Sequence, residues 1–212
     1  MADCLTANTP YDDPSYSVTV SPDPVVSSLD FAYTHGMRTY IRSRLQGGIY
    51  FFTVNLAERG QNDLLLRNID TLRQAFRYTQ QRHPFVIEAI VVLPEHLHCL
   101  WRLPEGDDGF SLRWRLIKAH FSRHIVSGER VSASRQRKNE RGIWQRRYWE
   151  HLIRDDIDYQ RHFDYIHYNP VKHGYVAKVA DWPYSSFHRC VKRGIYPPDW
   201  AAPPAIVEQS WE

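Results

Sequence analysis

The chain has 212 residues, 42% of them hydrophobic, and a formal net charge of +3. That length allows one domain with a sizeable core, and the apolar fraction excludes a wholly disordered chain. No apolar run is long enough to span a membrane, and the start MADCLTANTP does not resemble a signal peptide. The three cysteines lie far apart and favour neither disulfides nor a CxxC metal site. We therefore expect a cytoplasmic protein.

The first half of the chain predicts a tail followed by strands and one long helix. Residues 1–36 contain five Asp, four Pro and no Lys or Arg, which predicts a disordered acidic tail. GGIYFFTVNLAER (47–59) is an aromatic, β-branched strand, and Asn62 or Asp63 can cap the helix NDLLLRNIDTLRQAFRYTQQRH. Pro84 opens the strand FVIEAIVVL, and HLHCLWRL follows as the next strand after a Pro-Glu turn.

The second half of the chain continues this alternation. A second helix covers about 110–126, and the polar segment 128–142 has no periodicity, which predicts a flexible loop. WQRRYWEHLI (144–153) is a fourth strand, and a third helix starts near Asp155 and Asp156. The order β-α-β-β-α-β-α predicts an α+β, ferredoxin-like antiparallel sheet with helices on one face and one additional C-terminal helix.

The most basic part of the chain is residues 111–154, with twelve Lys or Arg against three Glu, a local excess of +9. Aromatic residues are interleaved with these cations. Because cations follow a nucleic-acid backbone while rings stack on bases, the pattern predicts a surface for single-stranded nucleic acid. The alternative is a solvated basic helix with core aromatics. The candidate DNA-contact residues are Arg113, Arg115, Lys118, Trp144, Arg146 and Arg147.

Two histidines lie two residues apart in the apolar stretch LPEHLHCLW (93–101). Since successive side chains of a strand point to opposite faces, His96 and His98 share one face, and Leu97, Cys99 and Trp101 share the other. The second set suits a core, whereas two adjacent imidazoles suit a metal ion or a phosphate. The alternative is that both histidines lie on a solvated face.

The third helix reads DDIDYQRHFDYIHYNPVKHG, with acidic residues at its start and Lys172, His173 and Gly174 at its exit. Tyr165 and Asn169 are four residues apart and therefore lie on one face of this helix. Pro170 disfavours helical geometry at Asn169, so we expect a kink at this end.

LPEHLHCLW together with FDYIHYNPVKHGYV resembles the single-tyrosine HUH endonucleases, and most closely the REP-associated tyrosine transposases of bacteria. The pieces GGIYFFTVNL, LPEGDD, WQRRYWEH and DWPYSSFHR agree with this resemblance. It covers 37–200, which we take as the transposase domain, and leaves 201–212 as a short tail. Many members have Asn at the position of Glu95, which affects local hydrogen bonding, and the loop 128–142 looks longer than is usual in the family.

The resemblance implies that His96, His98 and Asn169 bind a divalent metal, Mg or Mn, and that Tyr165 is the nucleophile. It further implies a transposase that nicks and rejoins single-stranded DNA near a hairpin through a 5′-phosphotyrosine and a free 3′-hydroxyl. The partner would then be single-stranded or hairpin DNA, with no membrane, bound by a monomer or a homodimer. The chemistry is consistent, because a metal with open positions neutralises charge on a phosphate while tyrosine attacks in line.

Two alternatives use the same residues differently. The chain could be a hairpin DNA-binding protein that does not cut, although the histidine pair together with Tyr165 and Asn169 argues against that. It could also be a metal-dependent phosphodiester hydrolase in which water attacks and Tyr165 is structural. A covalent protein–DNA adduct separates these three functions.

Overall fold

The structure, a computed structural model, describes residues 44–60, 62–203 and 206. The prediction for the tail 1–36, and most of that for 201–212, therefore lies outside the described residues. The strands are β1 (Ile49–Asn55), β2 (Val86–Val92), β3 (His96–Arg102) and β4 (Trp149–Leu152). The helices are α1 (Leu64–Arg67), α2 (Ile69–Arg82), α3 (Phe110–Arg123), α4 (Ala133–Gln136), α5 (Asp156–Lys172), a 3₁₀ helix (Val179–Asp181) and α6 (Phe187–Lys192).

The four strands form one antiparallel sheet in the order β2-β3-β1-β4. This confirms the predicted α+β, ferredoxin-like arrangement. Strands β1 and β3 lie at its centre and pair over their whole length, from Ile49 with Arg102 to Asn55 with His96. The predicted fourth strand 144–153 is shorter than expected, since only Trp149–Leu152 pairs as a strand and Trp144 makes an isolated bridge to Leu56.

The sheet is covered on both faces rather than on one. Leu97, Cys99 and Trp101 of β3 point into a core formed with α2 and α3, as the alternation predicts. Leu100 points to the opposite face, where Phe163, Tyr165 and Ile166 of α5 pack against it. Because β3 is apolar on one side and carries the histidine pair on the other, the second layer encloses His96 and His98 between the sheet and α5.

The segment 128–142 is not the structureless loop that its composition predicts. It contains the short helix α4, and the guanidinium of Arg141 fastens it to the end of α3. Arg141 pairs with the Glu129 carboxylate at 2.5 Å and 2.7 Å and donates to the carbonyls of Ser122, Ile125 (3.0 Å) and Val126 (3.1 Å). The sequence did not predict this structure, because polar side chains make the contacts and the segment has no periodic apolar residues.

Helix α5 continues through Pro170 to Lys172, so Asn169 is helical although the proline after it disfavours that geometry. Its first turn is capped by Asp155, whose carboxylate accepts from the amide of Asp158 at 2.7 Å. Its last turn ends on Gly174 at φ +71°, with backbone bonds from Gly174 to Val171 and from Tyr175 to Pro170. This is a Schellman termination, and it holds the last turn helical although the proline lacks a donor.

Candidate metal and nucleophile site

The candidate site lies between the centre of the sheet and α5. His98 of β3 is paired with Thr53 of β1, and Thr53 is paired with Trp149 of β4. These three side chains therefore form one row on the α5 side of the sheet. Opposite them, α5 presents a polar stripe at helical spacing of four, three and four residues: Asp158, His162, Tyr165 and Asn169.

Both histidines of the pair are fully buried, so the alternative of a solvated face is wrong. Their ring centroids are 4.9 Å apart. The Nδ1 atom of His98 lies 2.9 Å from the Thr53 hydroxyl, and that of His96 lies 3.2 Å from the Glu95 carboxylate. Each Nε2 atom is buried without a hydrogen-bond partner in the described part of the chain. Two oriented imidazoles with one open nitrogen each are an arrangement that binds metal ions.

Asn169 lies on the face of α5 that meets the histidine pair. The Tyr165 ring lies against His98 with 5.4 Å between centroids, and the His173 ring lies against His96 at 5.3 Å. Asn169 is four residues from each of them and so lies between them on the same side of the helix. Its carboxamide oxygen and nitrogen are both buried and have no partner among residues 44–60, 62–203 and 206.

The unsatisfied atoms of this site fit a divalent metal. Leaving a buried polar group unpaired costs about 1–3 kcal/mol, so three buried side chains with unpaired atoms on adjoining elements are what a bound ligand would satisfy. His96 and His98 would supply two imidazole nitrogens, and Asn169 would supply an amide oxygen. This donor set suits a divalent cation that keeps open positions for a substrate.

The protonation states agree with this interpretation. Burial is the main reason why the pKa of His98 lies well below its ordinary value, and the neighbouring His96, His173 and Lys172 lower it further. Burial is the largest single influence on Glu95 and opposes its ionisation, but the interactions with His96, with its own backbone amide and with Arg59 together outweigh burial and lower the pKa of the carboxyl. His98 is therefore a neutral donor, and Glu95 is a carboxylate that orients His96 and accepts from the Tyr175 hydroxyl at 3.4 Å.

Tyr165 is also fully buried. Its ring packs on Phe51 and His98, and its hydroxyl is 3.3 Å from Nζ of Lys172. The other two tyrosines of α5 lie elsewhere: Tyr159 stacks on Phe163, and Tyr168 packs at the edge of the α5 core. Of the three, Tyr165 alone contacts the histidine pair, as the helical spacing predicts.

Comparison with known proteins connects this geometry to a family. The chain is 50% identical over 165 residues to the REP-associated tyrosine transposase of Escherichia coli strain K12, a match that covers 78% of this chain and 92% of that protein. The chain belongs to the REP-associated tyrosine transposases. A Haemophilus influenzae protein assigned to this family is 50% identical over 171 residues, which is 80% of this chain and 97% of the relative.

A solved structure of a REP-associated tyrosine transposase bound to a REP hairpin superimposes on this chain with a TM-score of 0.68. The two share 48% sequence identity over 79% of this chain and 93% of that one. No family model matches the chain. No helix in the described ranges is both long and apolar enough to cross a membrane.

This member of the REP-associated tyrosine transposases has a second polar cluster that the sequence analysis missed. His151 of β4 and Asp158 and His162 of α5 hold their ligand atoms within 4.8 Å of one another, a group that could hold a metal ion. Here the Asp158 carboxylate already bonds His151 at 2.8 Å and the backbone amide of Arg154 at 3.0 Å. The four-residue spacing of Asp158 and His162 was the sequence signal that could have indicated this cluster. The fold alone brings His151 next to them.

The predicted DNA-contact residues of this transposase differ in how exposed they are. Arg113 and Trp144 are buried: the guanidinium of Arg113 forms a two-bond pair with Asp107 at 3.0 Å and 2.6 Å, and Trp144 packs on Phe121. Lys118 is half-buried and donates to the Gln145 carbonyl at 3.0 Å. The exposed members are Arg115, Arg146 and Arg147.

Proposed function

We propose that this protein nicks and rejoins single-stranded DNA beside a hairpin, with Tyr165 as the nucleophile and a divalent metal, Mg or Mn, at His96, His98 and Asn169. The observation that supports this most directly is the contact of the Tyr165 ring with His98, whose Nε2 is buried and open. Family membership and a relative bound to a REP hairpin support hairpin DNA as the substrate and the cytoplasm as the place of action.

The reaction transfers one phosphodiester bond to the protein. The Tyr165 oxygen loses its proton and forms a bond to phosphorus, the bond from phosphorus to the 3′-oxygen breaks, and the departing strand takes up a proton to end in a 3′-hydroxyl. When bound, the metal supplies positive charge to a non-bridging phosphate oxygen. The phosphotyrosine retains the energy of the broken bond, so attack by a 3′-hydroxyl rejoins the strand without ATP.

Access to the nucleophile depends on side chains of α5 itself. Tyr165 is fully buried in the DNA-free chain, and a phosphate cannot contact an atom with no exposed surface. Lys172 places its ammonium 4.8 Å from the centre of the Tyr165 ring and is only half-buried. We therefore expect DNA to draw Lys172 from the ring toward the phosphate as the tyrosine becomes accessible.

The test is detection of the covalent intermediate. The wild-type protein is incubated with a labelled single-stranded hairpin copied from inverted repeats beside the gene, in Mg or Mn buffer, and analysed on a denaturing gel. We expect a denaturant-resistant protein–DNA band that is absent in Tyr165→Phe and present in the matched variants Tyr159→Phe and Tyr168→Phe. Far-UV circular dichroism checks that each variant is folded.

The outcome separates the three functions. An adduct that persists in Tyr165→Phe would overturn the assignment of the nucleophile. Cleavage by the wild type without any adduct would favour the hydrolase in which water attacks. Tight hairpin binding with neither cleavage nor adduct would favour the non-cleaving DNA-binding protein.

A further inference from the structure

The structure separates the aromatic residues of the basic segment 111–154 into core residues and one exposed ring. Trp114, Phe121 and Trp144 are at most 6% exposed, and Tyr148 packs against the same core. Trp149 is 38% exposed. Packing in the core therefore explains the presence of the other four rings, but it does not explain an aromatic ring at Trp149.

Trp149 lies on the face of the sheet that carries the candidate site. It is paired with Thr53, which is paired with His98, so two strand spacings, about 10 Å, separate Trp149 from His98. Helix α5 packs over β2 and β3, whereas Trp149 is on the edge strand β4 beside it. A strand of DNA with one phosphate at the histidines can therefore reach Trp149 with a neighbouring base.

The indole of Trp149 is held by other rings. The His151 ring lies parallel to it, with an interplanar angle of 8° and 5.9 Å between centroids, and Phe51 meets it edge-on at 5.6 Å. His151 is in turn bonded to Asp158 of α5 at 2.8 Å. A ring fixed in this way loses little conformational entropy when a second flat group stacks on its open side.

The charge around Trp149 suits a nucleic acid strand. Arg146 and Arg147 precede it and are exposed, and the side chain of Arg154, two residues beyond the end of β4, is 74% exposed. These cations can follow the phosphates on either side of a base that stacks on the indole. Every base has a flat π-face, so this contact requires an unpaired nucleotide but no particular sequence.

We propose that Trp149 is a stacking platform for an unpaired base that flanks the phosphate cleaved by Tyr165. The proposal rests on the proposed function, because that function places the phosphate at His96 and His98. The ligand is a nucleobase of single-stranded DNA, and the stack from Trp149 through His151 to Asp158 connects its binding to the helix that carries the nucleophile.

The experiment measures binding in the Tyr165→Phe background, where DNA stays uncleaved. A fluorescent hairpin copied from the repeats beside the gene is used intact and with a single abasic nucleotide placed in turn at each unpaired position around the cleavage site mapped with the wild type. Trp149→Leu removes the ring and Trp149→Phe keeps a smaller one. Tyr78→Leu, which removes a ring of α2 on the opposite side of the sheet, is the matched control.

We expect Trp149→Leu to weaken binding of the intact hairpin about tenfold, with a smaller loss for Trp149→Phe and none for Tyr78→Leu. On the hairpin with an abasic nucleotide next to the cleaved phosphate, Trp149→Leu should have no further effect, because the base that it would contact is missing.

An equal loss on all hairpins, or no loss on any, would overturn the stacking proposal. The adduct assay on the wild type and on Trp149→Leu alone is independent of this result. If the wild type forms an adduct but the affinity loss in Trp149→Leu does not depend on any one base, the stacking platform is refuted and the proposed function stands. If the wild type forms no adduct, the proposed function is refuted, and with it the placement of Trp149 beside a cleaved phosphate.

Discussion

The hydroxyl oxygen of Tyr165 lies 3.3 Å from Nζ of Lys172, seven residues further along α5. Seven residues make about two helical turns, so the two side chains meet only if the helix runs unbroken between them. Pro170 lies in that interval, and the Schellman termination at Gly174 keeps the last turn helical around it. The helical backbone after Asn169 thus places the Lys172 ammonium next to the Tyr165 hydroxyl.

Lys172→Met should slow formation of the DNA adduct about a hundredfold, because it removes the positive charge next to the oxygen that attacks. Lys172→Arg should recover part of the rate. Lys178→Met removes an exposed lysine beyond the end of α5 and is the control. Single-turnover adduct formation is the measurement, and an unchanged rate in Lys172→Met would show that the contact has no part in the reaction.

His96→Ala and His98→Ala should each abolish cleavage while hairpin binding persists, because most contacts of a protein with DNA are to phosphates and bases away from the metal. The measurements are nicking in Mg or Mn buffer and fluorescence anisotropy with the same hairpin. His188→Ala removes a histidine of α6 and serves as the control. Full cleavage by either variant of the pair would remove the metal site from the mechanism.

Thr53→Val should raise the metal concentration needed for half-maximal cleavage about 10- to 100-fold. Valine preserves the shape of threonine but loses the hydroxyl that holds Nδ1 of His98. The control is Thr79→Val, since Thr79 is equally buried but bonds the Ala75 carbonyl within α2. If the metal titration of Thr53→Val matches that of the wild type, the hydroxyl does not orient the histidine.

Charge reversal at Arg147 and at Arg113 should have different effects. Arg147→Glu, at an exposed position, should weaken hairpin binding about tenfold across unrelated sequences and reduce its salt dependence. Arg113→Glu should instead lower the free energy of unfolding by about 3 kcal/mol, because it removes a buried partner of Asp107. Anisotropy at several salt concentrations and urea unfolding measure the two effects, and a normal affinity in Arg147→Glu would exclude it from the DNA surface.

The Glu129–Arg141 pair predicts a pH dependence of stability. The Arg141 guanidinium lowers the pKa of Glu129 to about 2 from its ordinary 4.5. A carboxyl group whose pKa is lower in the folded than in the unfolded chain stabilises the fold at pH values above its unfolded-state pKa. This contribution to stability is lost as the pH falls through about 4.5 toward about 2. Glu129→Gln should therefore lower the free energy of unfolding by about 2 kcal/mol at neutral pH.

That difference between wild type and Glu129→Gln should shrink steadily as the pH is lowered through this window, as measured by urea unfolding. Glu105→Gln is the control, because Glu105 is exposed and lies in a turn. A constant difference at every pH would mean that the pair does not hold the segment 128–142 to α3.

Local patterns were sufficient to predict most of the elements. The alternation in HLHCLWR placed the histidines and the core residues on opposite faces of β3, because the two-residue period of a strand needs no knowledge of its neighbours. The four-residue spacing of Tyr165 and Asn169 likewise placed both on one face of α5. The predicted boundaries of β4 and the expectation that Asn169 departs from helical geometry were wrong, because pairing with β1 and packing against the sheet decide them.

The sequence by itself determined the order of elements, the histidine pair and the tyrosine helix, all of which follow from spacing within a few residues. The tertiary structure decided which side chains complete the site and which cations remain exposed. Thr53 reaches His98 across 45 residues of chain, and Arg113 is buried against Asp107 while Arg147 faces solvent. Such contacts depend on strand pairing and on the packing of α5, and composition does not distinguish a cation in the core from one that is free to meet DNA.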